Sequence, residues 1–403
     1  MRFPGFSGEW EVKRLGNLLE FKNGINASKE QYGKGFKFIN ILDILNNDFI
    51  NYDNIVGRVD VDSKIAEKYS VKYGDMLFQR SSETREEVGT ANVYLDKENT
   101  ATFGGFVIRG RKIGDYNPIF FNKLLKTNSA RESITSKSGG STRYNVGQEI
   151  LTSITLYFPS LPEQDKIASL LSLIDNRIQT QSKIIQRLES LMQGLRERIF
   201  KQQIRFRDEN GKCFPDWRVN KLGDVCEIAK SGGTPRSTNK EYYEGDIPFL
   251  SISDMTSQGK YLTYTTNSIS QLGLDNSSSW IVPVNSIIYS MYASVGFVAI
   301  NRIPLATSQA VLNLILETNI NIEFVYYHLV EFQKKVAKFI TTGTQGNLNA
   351  ETVKGFEIPI PSLTEQNKIT SFMSSIDQKI QTEKAILKQL EKQKKYLLQQ
   401  MFI

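Results

Sequence analysis

Two stretches of the chain space their apolar residues at alternating steps of four and three. The first runs through Ile167, Leu171, Ile174, Ile178, Ile185, Leu188, Met192, Leu195 and Ile199; the second through Ile369, Met373, Ile376, Ile380, Leu387, Leu390, Leu397 and Met401. This spacing keeps one stripe of a helix apolar and makes the seam of a coiled coil. Each run predicts a helix of roughly 40 residues, hence about 60 Å long. Both runs follow a Pro-Ser pair, where Ser160 with Glu163 and Ser362 with Glu365 have the spacing of a capping box. In that motif the hydroxyl and the carboxylate satisfy backbone donors of the first turn. Elsewhere, short β-rich runs alternate with Gly, Asn and Ser punctuation, which reads as mixed structure dominated by antiparallel strands. Within it, helices are expected at about 117 to 135 and about 321 to 340, each followed by a glycine-rich loop.

Self-comparison shows why these elements come in pairs. Residues 151–200 align without a gap onto residues 353–402, and Trp10-Glu-Val-Lys-Arg-Leu-Gly16 is echoed by Trp217-Arg-Val-Asn-Lys-Leu-Gly223. A period of this kind sets the architecture. The chain is one unit written twice, with conserved spacers and heads whose surfaces differ. The fold class expected is α+β: two β-rich heads and two long helices forming an antiparallel coiled coil with a pseudo-twofold internal repeat. The expected boundaries are 1–155 for the first head, 156–205 for the first spacer helix, 206–355 for the second head and 356–403 for the second spacer helix.

Polar residues interrupt the seam at equivalent places, Gln181 and Glu383. Antiparallel or parallel pairing alike brings them together, where a polar pair fixes register at some expense of stability; the alternative is that they sit where the helices splay and water enters. Antiparallel pairing is preferred because the linker at about 201 to 216 then need not return along the rod. Lys394 replaces Met192 in the second copy and is expected to mark where that helix leaves its partner. One turn of B-DNA is about 34 Å, so heads placed toward opposite ends of such a rod suit one duplex.

These features together resemble the specificity subunits of Type I restriction-modification enzymes. The resemblance spans essentially the whole chain and rests on WEVKRLG and WRVNKLGD, on SGGTPRSTNKEYYEGDIPFLSISDM, and on PSLPEQDKIASLLSLID and PSLTEQNKITSFMSSID. The first head departs from the pattern, with KNGINASKEQYGKGFKFINILDI in place of the fuller second version. The resemblance implies two target-recognition domains, each reading one half of a bipartite target in double-stranded DNA, and helices that fix the gap and dock methyltransferase subunits. It implies as partners two modification subunits carrying S-adenosylmethionine and two restriction (motor-nuclease) subunits carrying ATP and Mg2+. This chain is then a non-catalytic subunit holding no cofactor. The alternative reading is a coiled-coil scaffold that holds two protein-binding domains without recognising DNA.

Composition narrows these choices. The 403 residues carry a net charge of +7 and 40% hydrophobic residues, a globular composition compatible with a polyanionic partner. No apolar run is long enough for a membrane helix, and the charged opening MRFPGFSGEWEVKRLG lacks an export pattern, so a cytoplasmic location is expected. Cys213 and Cys226 offer no metal framework and are expected to be inert thiols, and His328 on its helix is expected to pack. Asn117-Pro-Ile-Phe120 and Phe103-Gly-Gly-Phe106 are incomplete as methyltransferase motifs, and there is no phosphate-binding P-loop.

DNA reading needs donors and acceptors that reach base edges, backed by phosphate-binding cations and amides. In the first head the candidate loops supply Arg80, Ser81, Ser82, Arg85, Lys137, Ser141, Thr142, Arg143, Tyr144 and Asn145. In the second head they supply Thr234, Arg236, Ser237, Thr238, Lys240, Tyr292, Ser294, Thr344, Gln345 and Asn347. Arg80, Arg143 and Arg236 suit guanine, whereas Asn145, Gln345 and Asn347 suit adenine.

Overall fold

The structure, a computed structural model, describes residues 2–140, 142–339 and 348–402. The chain divides into two compact units, one made of residues 1–183 with 385–403 and the other of residues 184–384. Each unit therefore contains part of both long helices, Leu161–Phe200 and Leu363–Met401.

In the first unit, strand Glu11–Arg14 pairs antiparallel with Thr155–Phe158, the strand that leads into the long helix. This pairing explains why the two echoes in the sequence, the Trp-led opening and the helix start, are retained together. Beside it lies a four-stranded antiparallel sheet in the order Leu19–Asn23, Val107–Lys112, Met76–Gln79, Ala91–Val93. A three-stranded sheet centres on Tyr32–Ile39, which pairs in parallel with Thr102–Phe103 through Phe38↔Thr102. The core gathers Trp10, Phe120, Phe121 and Phe158, and Phe402, at the end of the second long helix, closes it. Phe402 stands 6.3 Å from Trp10 and 5.3 Å from Phe120 between ring centroids.

The second unit repeats the plan. Strand Arg218–Lys221 pairs antiparallel with Glu357–Ile360, and the main sheet has five strands in the order Cys226–Ser231, Val311–Leu316, Ile287–Ser290, Val298–Asn301, Tyr261–Leu262. A four-stranded sheet contains Tyr243–Leu250, paired in parallel with Leu305–Thr307 through Phe249↔Ala306. Here Phe200, at the end of the first long helix, is the closing aromatic, 6.3 Å from Trp217 and 5.4 Å from Phe324. Edge-to-face pairs of this kind add about 0.5–1.5 kcal/mol each beyond their buried area.

The helices run antiparallel within each unit. In the first, Ile167 and Leu171 share a core with Met401 and Phe402, and Asp175 pairs with Lys394 at 2.7 Å. In the second, Met192 and Ile199 share a core with Ile369, Met373 and Ile380, and Glu189 pairs with Lys384 at 2.7 Å. Rising numbers on one helix meet falling numbers on the other. Gln181 is buried in the first unit and Glu383 in the second, where Lys379 lies 2.6 Å from the Glu383 carboxylate.

Three local expectations are corrected. Lys394 does not leave its partner helix: its ammonium shares the Asp175 carboxylate with Lys123, which donates at 2.6 Å, so a charge replaces a seam methionine because a half-buried anion awaits it. Glu163 and Glu365 do not complete capping boxes with their carboxylates, although Ser362 Oγ accepts from the Glu365 backbone N–H at 3.4 Å, the half of the motif expected of the hydroxyl. Fully buried, Glu163 accepts from Arg2 Nη2 at 2.7 Å and from the Phe3 backbone N–H at 3.3 Å. Glu365 accepts from Arg205 at 2.9 and 3.1 Å and from Trp217 Nε1 at 3.1 Å. These carboxylates tie the start of each head to its helix. Finally, the helix expected at 117 to 135 is two helices, Pro118–Leu124 and Asn128–Thr135, whereas the second unit has the single helix Ile322–Val336. Thr127 caps a new helix by accepting from Ala130 N at 3.4 Å, a role that short hydroxyl side chains prefer to a helix interior.

His328 is buried beside the Phe200 and Phe332 rings, and burial pushes its pKa down to about 4, so it packs as a neutral ring. Burial likewise pushes the Cys226 thiol up to about 12, and it donates to Leu222 O at 3.1 Å. Among the described residues no helix is long and apolar enough to cross a membrane.

Candidate nucleic-acid interface

In the first unit the two predicted loops meet. Strand Ser81–Ser82 pairs antiparallel with Tyr144–Asn145, and Gly139 and Asn145 exchange backbone hydrogen bonds of 3.1 and 2.8 Å. Gly140 has φ +119°, and a Cβ there would overlap the Arg143 carbonyl oxygen, so glycine permits this tight return. Arg80 is clamped from both sides: its N–H donates to Phe106 O at 2.9 Å and its carbonyl accepts from Val146 N at 3.0 Å. The backbone is thus fixed while the guanidinium is exposed, an arrangement suited to reading. The Arg143 guanidinium lies over the Phe106 ring, 5.9 Å from its centroid.

Several other candidates in this unit are bonded within the loops, Ser81 and Ser82 while buried and Asn145, Arg85 and Lys137 while exposed. Ser81 and Ser82 are buried, with Ser81 Oγ donating to Asn145 Oδ1 at 2.6 Å and Ser82 Oγ to Glu87 Oε2 at 2.9 Å. Asn145 also donates to Arg143 O at 3.0 Å, so both ends of its amide already serve the loop. Arg85 donates from Nε to Thr135 O at 3.1 Å, and Lys137 to the Ser153 hydroxyl at 3.2 Å. Tyr144 is half-buried and Thr142 exposed; Ser141 lies outside the described residues.

The second unit builds the same clamp with different side chains. Met291 N donates to Ala310 O and Leu348 N to Met291 O, both at 2.9 Å, so Met291 and Ala310 take the places of Arg80 and Phe106. The exposed Tyr292 follows, and the turn continues through Ser294, whose φ of 56° lies in the left-handed region, with Ser290 Oγ holding Ala293 O at 2.7 Å. Gln309, beside Ala310, accepts from Thr234 Oγ1 at 2.8 Å and so joins the 231–240 loop to this edge. Arg236, Ser237, Thr238 and Lys240 are exposed farther along that loop, which closes through Asn239 N to Arg236 O at 3.1 Å. Thr344, Gln345 and Asn347 lie outside the described residues.

Sequence reasoning missed three residues. Phe106 was legible only as an incomplete cofactor turn, although an aromatic directly after two glycines was a signal for an exposed ring. Gln309 had no local signal. Arg131, on the helix Asn128–Thr135, donates to Glu86 O at 2.8 Å and to Val88 O at 2.5 Å, buttressing the Arg80 loop, and burial lowers its guanidinium below the usual value.

Comparison with known proteins agrees with this duplicated arrangement. A family model described as the Type I restriction modification DNA specificity domain matches twice, over residues 7–190 and 215–392. The Type I restriction enzyme MjaIX specificity subunit of Methanocaldococcus jannaschii is 33% identical over 197 residues, an alignment covering 48% of this chain and 45% of that one. The chain thus spans about half the length of that relative. The HindI specificity subunit of Haemophilus influenzae is 26% identical over 399 residues, covering 81% of this chain and 84% of that one. Among solved structures, a chain from a study of type I R-M complex assembly and conformational transition superposes with a TM-score of 0.62 at 17% identity, covering 98% of this chain and 97% of that one. The Type I restriction-modification S subunit from M. genitalium gives 0.59 at 17% identity, covering 100% and 99%. The structural likeness shows a shared fold; the paired family match, which spans most of the sequence, shows that the chain belongs to the Type I restriction-modification DNA specificity family.

Proposed function

We propose that the chain is the sequence-reading subunit of a Type I restriction-modification complex, each unit reading one half of a bipartite site in double-stranded DNA. One observation carries the reading. The same backbone clamp recurs in both units, at Arg80 and at Met291, yet presents Arg80, Arg143 and Phe106 in one and Tyr292, Thr234 and Gln309 in the other. A constant scaffold with variable side chains is what two different half-sites require. Phosphate contacts position such a protein and base-edge contacts specify the sequence. Arg80 and Arg143 suit guanine, and the exposed Arg236 and Lys240 suit guanine or phosphate.

The long helices fix the gap between half-sites and dock two modification subunits. This chain supplies recognition and no catalysis. S-adenosylmethionine belongs on the modification subunits, and ATP and Mg2+ on the two restriction subunits, all in the cytoplasm. Linking two readers on one frame makes the second engagement intramolecular and multiplies modest affinities.

Binding of the complex to its target duplex at two salt concentrations tests the reading. If six to ten phosphates are neutralised, affinity falls about 10³- to 10⁵-fold between 50 and 200 mM salt. Duplex binding that is absent, or indifferent to salt, contradicts it.

A further inference from the structure

Beside Arg80 and Arg143 the first unit holds a cavity of about 220 Å³, walled by Tyr32, Phe38, Leu42 and Phe106 with the Asn40 amide at its side, and floored by Gly104 and Gly105. Its rim is unusually apolar for a surface: Leu42 is 66% exposed, Phe106 59% and Tyr32 47%. Clustered exposed apolar side chains, unlike scattered ones, mark binding surfaces. Both floor positions require glycine, because a Cβ on Gly104 would press on the Phe38 ring and one on Gly105 would overlap the Asn26 amide oxygen. The rim is continuous with the cations: the Phe106 carbonyl accepts from Arg80 N, and its ring lies under the Arg143 guanidinium.

The second unit differs at the matching positions. The parallel pairings Phe38↔Thr102 and Phe249↔Ala306, with the clamp residues Phe106 and Ala310, set Ser253, Ser308, Gln309 and Ala310 opposite Leu42, Gly104, Gly105 and Phe106. There the Gln309 side chain occupies the edge and bonds to Thr234. One copy of the fold offers the exposed Leu42 and Phe106 side chains where the other offers Ser253 and the hydrogen-bonding Gln309.

Resting on the DNA-reading function above, we propose that Phe106 and Leu42 recognise the 5-methyl group of a thymine in the half-site read by the first unit. That methyl is the apolar feature a base pair presents in the major groove, and apolar side chains are its usual partners. The flanking Arg80 and Arg143 hold the duplex against the socket, and the pocket's size admits a methyl and part of a pyrimidine face.

The test uses the full chain assembled with its modification subunits. Duplexes selected from a randomised library define the half-site belonging to the first unit, and each thymine in it is then replaced by uracil, which removes only the methyl. The wild type is expected to bind about threefold to fivefold more weakly when one particular thymine is replaced, the effect of losing one buried carbon. Phe106→Ser and Leu42→Ser, both at exposed positions that leave the fold intact, are expected to bind thymine and uracil duplexes equally. The proposal is overturned if the half-site contains no thymine, if uracil is tolerated at every position, or if the variants retain the discrimination. It is also overturned if the variants weaken all sequences alike, the result for a ring wedged between base steps. Failure to select any duplex would instead contradict the DNA-reading function itself.

Discussion

The two units agree where each head is fastened to its helix and differ where the head meets solvent. Glu163 and Glu365 are both fully buried and both grip an arginine from the segment ahead of the Trp-led strand. Phe402 and Phe200 close the two cores in equivalent ways. Against this sameness, Arg80 stands opposite Met291, Phe106 opposite Ala310, and the broken helix pair Pro118–Leu124 and Asn128–Thr135 opposite the continuous Ile322–Val336. Substitution in a core position leaves a cavity or an unpaired group, whereas a loop clamped through its backbone tolerates any side chain. Duplication followed by divergence therefore shows which contacts define the frame and which define the reading.

The sharpest way to break the comparison is to remove a fastening carboxylate. Glu365 serves the Arg205 guanidinium and the Trp217 indole, while Glu163 serves Arg2 and one backbone N–H. Glu365→Ala leaves a largely buried guanidinium without its anion, and urea unfolding should show a loss of about 3–5 kcal/mol. Glu163→Ala should cost less, because Trp10 Nε1 has no bond to lose. Equal costs would contradict this ranking.

A second distinction concerns pH. His328 is held neutral by burial, with its pKa lowered to about 4, and the matching residue in the first unit, Leu124, does not titrate. Below about pH 6.5 the unfolded chain binds a proton that the folded ring refuses, so stability of the second unit falls with pH by about 1.4 kcal/mol per unit until about pH 4. Protection factors of the amides in Ile322–Val336, corrected for the intrinsic exchange rate at each pH, should fall over that range, and His328→Leu should flatten the response. An unchanged slope in the variant would assign the pH dependence elsewhere.

The smallest effect separates the recognition edges. Arg80→Ala should weaken target binding by about 1–3 kcal/mol if the guanidinium reads a base, and relax preference at one position of one half-site. Met291→Ala, at the same clamp in the second unit, should leave base preference unchanged because Met291 is buried. A preference shift in both halves from either change would mean that the units do not read separately.

Much of the architecture was legible because its signals are periodic. The seam residues Ile167 to Ile199 and their copy fix helix length, and the paired Trp-led strands fix the repeat. The misreadings share a cause. Glu163 and Glu365 have capping-box spacing, but partners distant in sequence, Arg2 and Arg205, outbid the local backbone. Lys394 looked like a break because Asp175, whose carboxylate gives it a place, lies far away in sequence. At the interface, Arg80 and Arg143 were legible from loop composition. That Ser81 and Asn145 would spend their polar atoms on each other, or that Phe106 would join the two arginines, depended on strand pairing that no local pattern encodes.

The most direct measurement exchanges residues 17–150 for the corresponding variable segment of another specificity subunit, co-expresses the chimera with the modification subunits, and maps methylated adenines across the host genome. Independent reading by two units predicts that one half of the methylated site changes while the other half and the gap are preserved. A change in both halves, or in neither, would contradict it.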